Sequence, residues 1–133
     1  MKNDIDYMKE EKSNIRIEEE EGIIYVTVPK IITEEKIWNL VEEIKEALVR
    51  NPDNRKILIE MKTVSPVRSS EFRKITADKI RAINEVGLFS KTALFGSNIL
   101  IRTIATFIIA ASRAKNIKLF KTKEEALKWL KEQ

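Results

Sequence analysis

Lys56-Ile-Leu-Ile-Glu-Met-Lys-Thr-Val-Ser-Pro-Val-Arg-Ser-Ser-Glu-Phe72 is the stretch that decides how the rest of the chain is read. Ile57 to Met61 is a short apolar run without clean alternation, the pattern of a strand buried on both faces. Ser65-Pro66 then makes a turn, and Ser69-Ser70 stands where the next helix should start. In α/β proteins, ligands and partners gather at this carboxyl end of a strand. The stretch therefore predicts a parallel sheet flanked by helices, with its functional end at the turn.

Working back toward the N-terminus, Asn51-Pro52-Asp53-Asn54 is a turn. Before it, Ile37, Leu40, Val41, Ile44 and Leu48 recur at spacings of three and four, an amphipathic helix up to about Arg50. Thr33 is its N-cap, and Glu34 and Glu35 sit where the helix dipole favours negative charge. Pro29 closes a strand over Ile23–Val28. Asn14 to Glu19 alternates and predicts its hairpin partner, with Gly22 free to take positive φ in the turn. The consecutive glutamates Glu18 to Glu21 read as a solvated acidic tip rather than a cation site, because neighbours on a strand point to opposite faces. Residues 1–13 read as a charged N-terminal tail.

Working forward, a helix is predicted from about Ser69 to Val86, with Phe72, Ile75, Ile80 and Ile83 inward and Gly87 as its C′ residue. Lys91 to Phe95 is a third buried strand, and Gly96-Ser97-Asn98 a tight turn into the very apolar helix Ile99–Ala114. Asn116 to Phe120 is a short strand. Thr122 and Glu125 form a capping box ahead of a last helix bearing Ala126, Leu127, Trp129 and Leu130. The order β-β-α-β-α-β-α-β-α implies an α/β domain over residues 14–133: an antiparallel hairpin continuing into a mostly parallel five-stranded sheet with four helices.

Composition narrows the chemistry. A length of 133 residues suits one domain. With no cysteine and no histidine, disulfides, Cys- or His-based zinc sites, cysteine nucleophiles and imidazole bases are excluded. The N-terminal residues lack the apolar core of a signal peptide, so a cytoplasmic location is expected. Glutamine occurs only at Gln133, while Lys, Glu and Ile abound, a bias shared with hyperthermophile proteins. Residues 1–60 carry 10 Lys/Arg against 15 Asp/Glu, and residues 61–133 carry 15 against 6. A basic half can serve nucleic acid, but its cations are not interleaved with aromatics as a single-strand binder requires, and lysine-solvated helices account for it. The run Thr92 to Ala111 is broken by Gly96, Ser97, Asn98 and Arg102, so no membrane span is expected.

The element order resembles the STAS fold of anti-sigma-factor antagonists and sulfate-transporter tails. In that family a buried strand ending in an acid leads through a loop to Asp-Ser-Ser/Thr-Gly-Leu at a helix start. Here Glu60 takes the place of the acid, Val64 of the loop's apolar residue, Ser69-Ser70 of the serine pair and Phe72 of the Leu. Thr92-Ala-Leu-Phe-Gly-Ser97, the apolar helix, and Phe120 with Glu124-Glu-Ala-Leu-Lys-Trp-Leu130 are similar to the SpoIIAA-like branch. The resemblance implies a non-catalytic regulatory or protein-interaction module. Its serine pair implies a phospho-switch or partner-binding site at Ser69 and Ser70. Arg68 replaces the family's Asp and Glu71 its Gly, however, so plain helix capping is the competing role.

Three further positions invite attention. Gly96-Ser97-Asn98 has the setting of a phosphate cradle, but it has one glycine and no Walker lysine, so capping is expected. Glu60 is expected in an ion pair with a neighbouring lysine, such as Lys62, or exposed. The helix Ile99–Ala114 has only a thin polar stripe, Arg102, Thr106 and Arg113, and must be covered nearly all round. That predicts a dimer surface or an apolar-ligand surface, carried by Ile101, Ile108 and Ile109. No catalytic residue, metal site or cofactor is expected. A protein partner and a homodimer are expected. The alternative is a carrier or sensor of a lipid or other small apolar molecule, because the SpoIIAA-like branch is structurally similar to lipid-transfer domains.

Overall fold

The computed structural model describes residues 14–18, 21–53, 55–67 and 69–132. The expected tail over residues 1–13, and Glu19 and Glu20 of the acidic tip, lie outside them. Strands β1 (Ile15–Glu18) and β2 (Ile23–Val28) form the antiparallel hairpin, turned at Gly22 with φ 65°. Helix α1 (Glu34–Arg50) begins where the Thr33 hydroxyl accepts from the Lys36 amide at 3.3 Å. Then follow β3 (Lys56–Met61), α2 (Ser70–Glu85), β4 (Lys91–Gly96), α3 (Ile99–Ser112), β5 (Ile117–Phe120) and α4 (Lys123–Lys131).

Helix α3 stops two residues short of the expected Ala114. The Ser112 hydroxyl donates to the Ile109 carbonyl at 2.6 Å and accepts from the Ala114 amide at 3.4 Å. That local bonding competes with continued helix, and Arg113 turns left-handed at φ 60°. Glycine is required at the end of β4: Gly96 has φ 96°, and a Cβ there would meet the Met61 carbonyl oxygen at 2.8 Å.

The strands lie in the order β1-β2-β3-β4-β5, with β1 antiparallel to β2 and all later pairs parallel. Each parallel strand is added on the same side of its predecessor. Right-handed crossovers then place α1, α2 and α3 together on one face. Register shows which residues they cover: Ile24, Ile57, Thr92 and Ile117 stand in one row across the sheet. The core on this side joins Ile24, Val26 and Ile57 to Leu40, Ala47 and Leu48.

Helix α4 covers the opposite face. Leu130 and Ala126 pack on Ile23, Leu58 and Ala93. Ala93 and Ala126 are fully buried, and two such small side chains let the helix approach the strand closely. Lys91 holds the end of α4, its Nζ donating to the Trp129 and Glu132 carbonyls at 2.9 and 2.8 Å, where the helix dipole favours a cation. The same ammonium lies 4.9 Å from the centre of the Trp129 ring.

Candidate functional site

The face under α1–α3 is not packed solid. A cavity of about 220 Å³ separates those helices from the sheet. Val26, Ile59 and Leu94 floor it, and Ile44, Ile80 and Ile108 roof it. Among the described residues its walls carry no charged side chain; the polar ones are Thr63, Thr76 and Thr92. Two of these are engaged: the Thr63 hydroxyl donates to the Pro29 carbonyl at 2.8 Å, and the Thr76 hydroxyl oxygen accepts from Trp38 Nε1 at 3.1 Å. The third is not. Thr92 is only 5% exposed, and its hydroxyl finds no partner among the described residues. Its row neighbours Ile57 and Ile117 offer none. A hydroxyl buried this way costs about 1–3 kcal/mol. One orphan group cannot supply the several partners that a buried water needs, so the walls favour an apolar occupant.

At the carboxyl ends of β2 and β3 the cavity is lined by Ile32, Pro66 and Val67. Beside it a shallower hollow is lined by Lys30, Lys62, Val64, Ser97 and Asn98. The polar groups there serve the fold. Asn98 Oδ1 accepts from the Ile101 amide at 3.0 Å and so caps α3, as expected of the turn. Ser97, left-handed at φ 64°, donates its hydroxyl to the Thr63 carbonyl and ties the β3–α2 loop to the start of α3. Both side chains are thus engaged in holding the turn, the capping role expected of it.

Ser69 caps α2: its Oγ accepts from the Phe72 amide at 3.1 Å. Ser70 is the first helical residue and is exposed. Glu60 is half-buried on the α4 side of β3, and among the described residues it forms no ion pair with Lys62. The expectation of a pair or of plain exposure is corrected: Glu60 is half-buried and stands opposite Phe95 in the register.

Helix α3 divides its apolar residues between two environments. Ile101 is 8% exposed, and Ile108 and Ile109 are half-buried; all three line the cavity. Ile99 (74% exposed), Leu100 and Phe107 (63%) face outward instead. Thr103 and Thr106 share that outer surface, but their hydroxyls donate back to the Ile99 and Arg102 carbonyls at 2.8 Å each. The outer surface of α3 is therefore apolar even at its threonines.

At the opposite end of the sheet, the Tyr25 hydroxyl donates to Glu21 at 3.0 Å and Lys131 lies 3.2 Å from the same carboxylate. The Tyr25 hydrogen bond, then Lys131, holds the Glu21 carboxyl below its usual range. Partial burial, then Glu21, raises the Tyr25 phenol. Among the described residues no acidic cluster has metal-binding spacing, and no helix is long and apolar enough to cross a membrane.

The serine pair was visible in the sequence; the unpaired Thr92 hydroxyl and the outward trio Ile99, Leu100 and Phe107 were not singled out. The one signal for Thr92 was a hydroxyl near the start of a strand whose next three residues, Ala93, Leu94 and Phe95, are apolar. Compared with known proteins, residues 23–131 match the family described as SpoIIAA-like. No curated protein and no solved structure matches the chain.

Proposed function

Given that the chain belongs to the SpoIIAA-like family, we propose that it is a non-catalytic regulatory or protein-interaction module that docks through the outer surface of α3. The observation that carries this reading is the apolar outer face of that helix, Ile99, Leu100 and Phe107, whose neighbouring threonines turn their hydroxyls onto the backbone. Each large side chain moved from water into an interface contributes about 1.5–3 kcal/mol. A second copy related by a two-fold axis is the simplest partner, since one patch then covers itself. Sedimentation equilibrium tests it. The wild type should dimerise at tens of micromolar, and Phe107→Glu should give monomer, because a carboxylate buried there has no partner. A monomeric wild type at that concentration would remove the self-pairing reading. A regulatory role at Ser69-Ser70 is proposed with it, the phosphate acting on the start of α2.

The cavity favours a second reading, a carrier or sensor of a small apolar molecule. About 220 Å³ of apolar-walled space is more than the roughly 150 Å³ that takes up benzene in an engineered core. Native mass spectrometry of the purified protein should then show a retained small mass, and its absence at every stage of purification would count against a tightly held cargo.

A further inference from the structure

We propose that Thr92 is the polar anchor of a binding site in this cavity, and that the site takes a compact, uncharged, mostly apolar molecule with a single hydrogen-bonding oxygen. The inference deepens the carrier or sensor reading and rests on it. Size comes first: scaled from the benzene-sized cavity, about 220 Å³ holds roughly nine non-hydrogen atoms. Charge comes next. Among the described residues no charged side chain lines the walls, so a carboxylate or an ammonium inside would find no partner there. The final observation is the hydroxyl itself. Thr63 and Thr76 are already engaged, and among the described residues Thr92 alone lines the cavity, buried, with its oxygen unpartnered. A hydroxyl both donates and accepts, so a ketone, an ether or an alcohol would satisfy it. Thr92 stands near the amino end of β4, an interior strand of the sheet, between two isoleucines in its row. A bound oxygen at Thr92 would fix the orientation of a molecule that the other walls hold only by shape.

Indane and 1-indanone are matched probes, with the same fused-ring skeleton, the second adding one carbonyl oxygen. Each is titrated into the full chain and followed by amide chemical shifts. Both should bind, with shifts at Ile59 and Leu94, and 1-indanone should bind about tenfold more tightly. Thr92→Val should abolish that preference by weakening 1-indanone alone, and Thr92→Ser should keep it. Equal affinities in the wild type, or a preference that survives Thr92→Val, would overturn the anchor while leaving the carrier reading intact. Binding of neither probe would overturn both. The wild-type ratio decides even where a variant folds poorly.

Discussion

Thr92→Val is the substitution whose effect on stability follows most directly from the structure. Valine has nearly the shape of threonine, suits a strand at least as well, and removes one oxygen. In most buried settings the loss of a hydroxyl is harmful because a hydrogen bond goes with it. Here the Oγ1 atom of Thr92 has no partner among the described residues, in a residue only 5% exposed. Folding therefore strips the hydroxyl of water without compensation, at a cost of about 1–3 kcal/mol. Removing it should raise stability by about 1–2 kcal/mol, after allowing for some relaxation. With a urea slope of about 1–3 kcal/mol/M for a domain of this size, the midpoint should rise by roughly 0.5–1 M. The melting temperature should rise by about 3–8 °C. The assay is urea unfolding by circular dichroism on ligand-stripped protein, with the slope unchanged between variants. A midpoint equal to or below that of the wild type would show that the hydroxyl has a partner, and would remove the physical basis for reading it as a ligand anchor.

Other substitutions test other parts of the molecule. Ser69→Ala should lose a helix cap and about 1 kcal/mol while leaving self-association alone; a tenfold change in the dimer constant on Ser70→Glu would instead reveal a switch. Gly96→Ala should cost about 3 kcal/mol, from a left-handed φ and a Cβ driven onto the Met61 carbonyl; a loss below about 1 kcal/mol would mean the end of β4 moves freely. Trp129 is half-buried, 5.5 Å from the Phe120 ring and beneath Lys91 and Lys118, so Trp129→Ala should cost about 2–3 kcal/mol, short of a fully buried tryptophan, as read from denaturation midpoints. The Glu21 carboxyl titrates below 4.5 in the folded chain, so its contribution to stability is present above that value and fades as pH falls through the lowered one. Tyr25→Phe should move that titration back toward 4.5, and carboxyl NMR showing a wild-type value at or above 4.5 would contradict the contact.

What could be read from the sequence was whatever local chemistry enforces. Thr33 and Thr122 cap helices at the expected residues, and Gly22 and Gly87 take positive φ where the turns need it. The alternation of Ile15 and Ile17 placed them on one face, where they pack against the core. The STAS-like order followed from these boundaries. The orientation of α3 did not, because apolar residues surround most of its circumference. Ile101 and Phe107 look alike in such a pattern, yet one is inside and the other outside. The cavity and the unpaired state of Thr92 were also beyond reach: they depend on how far a helix layer stands from a sheet and on what lies across a gap, and neither distance is written in any local stretch.

The strand order also bears on how the chain reaches its native state. Every strand lies beside the one before it in sequence, so each crossover can close using only neighbouring segments. Each parallel pairing must still wait for a helical crossover to close, which is slow, but the order lets the sheet grow strand by strand during synthesis. The exception is the face that Ile23, Leu58 and Ala93 present to α4. The helix that covers them comes after all five strands, so this apolar surface stays open until the rest of the sheet is built. During synthesis it is the surface most open to aggregation and to chaperone capture, and the close seating of Ala126 on Ala93 is the step that closes it.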